Sequence, residues 1–99
     1  ANLNLEPPEE DGRNVIARAW FCPETAPWVR ESRSYYITRM EDVHNSQFEG
    51  LLVTLTAHAE AELVPWLLSW GGQVEVLEPE SLKRRLANEA KKIYEKYSD

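Results

Sequence analysis

The chain has 99 residues, 42% of them hydrophobic and 28% charged, and a formal charge of −6 at pH 7. At roughly 100–200 residues per domain this is a single domain, and its composition excludes a disordered tail, a collagen and a coiled coil. It lacks the run of about 18 apolar residues that a membrane helix needs, and its one cysteine, Cys22, cannot close an internal disulfide, so a reducing, cytoplasmic setting is expected.

The charge is unevenly spread. Every lysine lies at or after Lys83, so residues 80–99 carry +2 and residues 1–79 carry −8. An acidic body does not draw in phosphate backbones over a distance. The basic residues of the last segment, Arg84 and Lys91 among them, form a candidate interaction surface for an acidic partner, unless they are only the solvated face of a helix.

Residues 1–14 contain Pro7-Pro8 and an acidic run ending in Gly12, and read as a linker or frayed terminus. The start at Ala1-Asn2-Leu3 reads as a cut end, with the domain proper at 15–99 and more protein upstream. No signal peptide is expected, because the start lacks a basic region followed by an apolar run.

Val15–Phe21 is predicted as a strand. Val15, Ala17, Ala19 and Phe21 fall on one face and Ile16, Arg18 and Trp20 on the other, so a central position is expected. Pro23–Ser32 is predicted as a short helix, its two prolines early where they cost little, with Trp28 and Val29 toward the sheet. Tyr35–Val43 alternates as a half-exposed strand. His44-Asn45-Ser46 supplies a turn, and Phe48–Ala57 returns as the hairpin partner, with Leu51, Val53 and Leu55 on one face.

The next helix is expected to end at Trp70. Starting near Ala61, it would hold Pro65 in its first turn; starting at Ala59, it would be kinked there. Leu63, Trp66, Leu67 and Trp70 form its buried stripe, and Gly71-Gly72 a left-handed stop. Val74–Leu77 is a short strand. Pro79 opens a last helix to about Tyr97, with Glu80 in its first turn and Leu82, Leu86, Ile93 and Tyr97 on one face, flanked by Ala90 and Tyr94. The order β-α-β-β-α-β-α gives an α+β class, the ferredoxin-like sandwich with an antiparallel sheet and an appended C-terminal helix. In that plan one sheet face is open and needs a cover from the last helix or another chain.

Catalytic chemistry is not legible, and no enzyme is expected. His44, His58 and Cys22 lack metal-ligand spacing, so neither metal nor other cofactor is expected. Gly71-Gly72 is not a phosphate loop, and a nucleophile elbow is missing. Glu60 and Glu62 point apart on a helix and read as solvent-facing carboxylates. Acylphosphatases share the ferredoxin-like plan but need a basic phosphate loop after the first strand, where this chain has Cys22-Pro23-Glu24. Trp66 and Trp70 read as core. Any tryptophan that proves exposed marks a partner surface. Tyr35, Tyr36 and Trp20 could stack bases on a sheet, against the acidic charge.

The stretch Leu63–Tyr97 carries a pattern of its own. An apolar helix closes in Leu67-Leu68-Ser69-Trp70-Gly71. A strand follows with Val74, Val76, Leu77 and Pro79, then a helix with Leu82, Lys83, Leu86 and Tyr97. Upstream, Ala26–Glu31 and Glu49-Gly50 fit more loosely. Over Val15–Tyr97 the chain resembles WCX, the C-terminal extension of bacterial transcription regulators with a WYL domain. Each matching residue also has a packing role, so the motif Leu67, Leu68, Trp70, Gly71, Val76, Leu77, Pro79, Leu82 marks a fold element rather than a reactive group. The resemblance implies a regulatory and dimerisation domain without catalysis. It implies a WYL domain and a helix-turn-helix in the same longer chain, homodimers at full length, and DNA contacted through the other domains only. The alternative is a stand-alone small-molecule-binding module of the same fold.

Overall fold

The computed structural model describes residues 12–98. Its elements are β1 (Val15–Phe21), α1 (Ala26–Ser32), β2 (Ile37–His44), β3 (Glu49–Ala57), α2 (Glu60–Leu68), a 3-10 turn (Gly71–Gln73), β4 (Val74–Glu78) and α3 (Glu80–Tyr97). The fold is α+β: a four-stranded antiparallel sheet, in the order β2-β3-β1-β4, with three helices. The expected hairpin and the central place of β1 are both found.

The alternation of β1 and β3 sets the core. Ala17, Ala19 and Phe21 pair across with Leu55, Val53 and Leu51, and all six are fully buried. Small residues on β1 facing large ones on β3 leave room for helices to approach. Val29 of α1, Leu63 and Leu67 of α2, Val76 of β4 and Leu82 of α3 complete the cluster. Phe21 meets Trp66 and Trp70 edge-on, at centroid distances of 6.1 and 5.5 Å.

Several boundaries differ from the sequence reading, each for a local reason. The first helix begins at Ala26, not Pro23. The Cys22 carbonyl accepts the N–H groups of Thr25 and Ala26, each at 3.1 Å, and Pro23 lies in that turn. Thr25 is buried, with its hydroxyl donating to Gln73 Oε1 at 2.7 Å, which satisfies its polar group and ties this turn to the one before β4. Val29 points to the sheet as expected, but Trp28 is 66% exposed.

The second strand begins at Ile37, since Tyr35 and Tyr36 form a turn closed by the Ile37 N–H on the Ser34 carbonyl (3.2 Å). It includes His44. Phe48 is held outside β3 because Asn45 Oδ1 accepts the N–H groups of both Gln47 and Phe48 at 2.8 Å.

Helix α2 starts at Glu60, so Pro65 sits inside it rather than in its first turn. There it withholds the N–H that the Ala61 carbonyl would otherwise accept. The helix ends at Leu68, and Trp70 lies in the following turn with its N–H on the Leu67 carbonyl at 3.1 Å. Gly71 adopts φ +60°, the left-handed stop. The last strand extends to Glu78.

Helix α3 packs against α2 and β4, and Leu82 enters the common core from the helical side. The sheet face opposite the helices therefore receives no cover from α3, and Ile16, Phe48 and Leu77 are exposed.

Candidate interaction surface

The uncovered sheet face is built by the even-numbered positions of β1 and β3 and their neighbours. Trp20 stands opposite Leu52 on one side and Glu75 on the other. Val43 stands opposite Gly50. Trp20, Val43, Leu52, Phe48 and Leu77 line an apolar dimple of about 140 Å³. That is below the roughly 300–1,000 Å³ of a small-molecule pocket. The Trp20 indole lies over Gly50, and its Nε1 is buried without an acceptor among the described residues. Ion pairs rim the apolar centre: Arg18 with Glu78 (3.7 Å) and Arg39 with Glu41 (3.1 Å). An apolar middle with a polar rim is the anatomy of a protein-docking surface.

A polar clamp sets the position of α3. Ser81 Oγ donates to Glu60 Oε2, and Arg85 Nε donates to Glu60 Oε1 at 3.0 Å. Glu60 is thus not a solvent-facing carboxylate: its side chain is only 18% exposed and joins the start of α2 to the first turns of α3. Sequence spacing could not reveal this, because the partners lie 21 and 25 residues away. Glu60→Ala is expected to cost about 1–2 kcal/mol of unfolding free energy in urea titration, with Glu95→Ala as the neutral control. A null effect would remove the clamp from this account.

Arg84 and Lys91 are seven residues apart on α3, so they share a face of the helix, and both are exposed. Lys91 lines a groove of about 560 Å³ between α2 and α3, together with Val64, Pro65, Arg85 and Lys92. Arg84 lies outside it. Neither has an ion-pair partner among the described residues.

The histidines and the cysteine each have local partners. His44 Nδ1 lies 3.2 Å from Glu49, and His58 Nδ1 lies 3.1 Å from the Gly12 carbonyl oxygen. Cys22 Sγ lies 3.2 Å from the Thr25 hydroxyl. Tyr35 stacks edge-on with Tyr36 and carries the Arg13 guanidinium 4.6 Å above its ring. These two tyrosines are in the turn before β2, not on the sheet with Trp20.

A family model described as the WCX domain matches residues 13–94. The chain belongs to the WCX domain family. The match takes in the whole sheet and all three helices up to Tyr94. No curated protein matches the chain significantly. The motif residues of this WCX domain fall into distinct roles. Leu67, Val76 and Leu82 are in the core, Leu68 and Trp70 are half-buried, Gly71 turns the chain, and Pro79 precedes α3 as its N-cap. Leu77 departs from a pure packing role, since it points to the uncovered face and lines the dimple. No helix among the described residues is long and apolar enough to cross a membrane.

Proposed function

We propose that this WCX domain is the C-terminal regulatory and dimerisation domain of a WYL-type, helix-turn-helix transcription regulator. In that setting it helps couple effector sensing to DNA binding and catalyses nothing itself. The family match over residues 13–94 carries the reading. The uncovered apolar sheet face supports it, because such a surface suits packing against another domain of the same cytoplasmic protein. Coupling is a population shift: an effector favours one arrangement of domains over another in proportion to its differential affinity. DNA is contacted through the helix-turn-helix, in keeping with the −8 charge of residues 1–79. We also class the fold as ferredoxin-like, a reading supported by the element order and by the strand order β2-β3-β1-β4.

The test is charge reversal at Arg84 and Lys91 in the full-length regulator. Effector-dependent operator binding is expected to change by about fivefold or more, roughly 1 kcal/mol of coupling, while thermal unfolding of the domain is unaltered. An unchanged effector response discards this surface. A saturable change in tryptophan fluorescence when the 99-residue chain is titrated with a metabolite would instead favour the stand-alone ligand-binding module.

A further inference from the structure

Helix α3 has two halves with different surroundings. Leu82 is fully buried and Leu86 half-buried against the core. Beyond them the apolar stripe continues with much of its surface open: Ile93 is 47% exposed, Tyr94 71% and Tyr97 85%. A helix end that served only as a solvated terminus would carry polar residues on this line. Instead Leu86, Ala90, Ile93 and Tyr97 follow the 4-3-4 spacing of a helix-pairing seam.

The flanks of the seam carry a second pattern. Glu89 and Lys96 lie on the same flank, seven residues apart and opposite in sign. The other flank carries Ala87 and Tyr94, while Asn88, Lys91, Lys92 and Glu95 point away from the seam. Parallel pairing would set Glu89 and Lys96 against the other flank of the partner, with Glu89 beside the partner's Tyr94 and neither charge meeting its opposite. Antiparallel pairing about a two-fold axis between residues 91 and 92 sets each against its opposite. The same register puts Leu86 against the partner's Tyr97 and Ala90 against the partner's Ile93, a large side chain facing a smaller one in each layer. Within one copy, among the described residues, Glu89 pairs with Lys92 at 3.1 Å and at the surface, a contact weak enough to be exchanged.

A third feature adjoins the seam. Leu68, Gly71 and Gly72 form an apolar groove of about 440 Å³ with Ala90, Ile93 and Tyr94. A Cβ at Gly71 or Gly72 would meet nothing within 4 Å, so the groove is open above this turn and has room for an aromatic ring from outside.

We propose that two copies of this chain pair through the free half of α3, antiparallel, with Leu86, Ala90, Ile93 and Tyr97 at the contact. Glu89 of each copy then faces the partner's Lys96. This rests on the dimerisation reading above and specifies its geometry. The pairing is isologous, so it closes at two copies and does not propagate.

Sedimentation equilibrium of the 99-residue chain tests it. The unaltered chain is expected to dimerise reversibly. Ile93→Glu, which buries a charge twice in the symmetric contact, weakens this by about 100-fold. Glu89→Lys weakens it by about tenfold, and the double reversal Glu89→Lys with Lys96→Glu returns it to within about twofold of the original. Gly72→Gln fills the groove at a position without left-handed φ and weakens dimerisation with no loss of thermal stability. All four positions are exposed or half-buried outside the core, so circular dichroism is unchanged throughout. If the chain dimerises but neither Ile93→Glu nor Glu89→Lys shifts the equilibrium, the dimerisation reading stands and the α3 seam is wrong. If the chain is monomeric up to about 1 mM, self-association by this domain is absent and both fall.

Discussion

Phe21→Ala is expected to remove about 3–5 kcal/mol of stability, the cost of emptying a large aromatic site that cannot fully collapse. Phe21 has no solvent exposure. It is flanked by Leu51 on β3 and Val74 on β4, and the edges of Trp66 and Trp70 close over it. The two indoles also touch each other, with centroids 5.9 Å apart, so the three rings form one packed unit. Domains of this size are stable by about 5–15 kcal/mol in all. The variant is therefore expected to sit near the edge of folding at 37 °C. Urea denaturation followed by tryptophan fluorescence measures both the lost stability and the changed environment of the two indoles. A loss under about 1 kcal/mol would mean that the ring cluster does not organise the core.

The second large effect comes from a single methyl group. Gly50 has φ +145°, in the region that L side chains rarely adopt. A Cβ there would collide with the Phe21 carbonyl oxygen and lie 2.7 Å from Trp20 Nε1. Backbone strain and steric overlap act together, and Gly50→Ala is expected to cost about 2–4 kcal/mol. The effect reaches the surface as well as the core. To relieve the overlaps, the backbone must shift away from the Phe21 carbonyl and the Trp20 indole must lift from the sheet, and with it one wall of the apolar dimple is displaced. A red shift in Trp20 emission together with a lowered urea midpoint is the expected pair of results. Wild-type stability in this variant would show that the close approach at Gly50 is not needed.

The order and type of the elements were legible because the two periods differ so clearly along the chain. Alternation in Val15–Phe21 and Phe48–Ala57, and three- and four-residue spacing in Leu63–Trp70, admit few other readings. Element ends were less legible, since they depend on which backbone group finds a partner. Cys22 accepts two N–H groups and so delays α1, while Asn45 captures the Phe48 N–H and so shortens β3. Adjacent apolar residues such as Trp28 and Val29 lie about 100° apart on a helix, and pattern alone does not say whether one or both face inward. The surface residues were least legible. Glu60 finds its partners across more than 20 residues. That Trp20 lies upon Gly50 was not readable, since the two sit on different strands about 30 residues apart. The motif through Leu67 and Leu82 was readable because it is a packing motif, and for that reason it names the family without naming a contact.

The strand order leaves β2 and β4 at the two margins of the sheet. The β2 margin carries Arg39, Glu41, Asp42 and His44 within eight residues, and that of β4 is five residues long and ends at once on a proline. Such borders repel a further ribbon of backbone. Extension of the sheet by strand addition, and with it growth of fibrils from the native state, is therefore disfavoured.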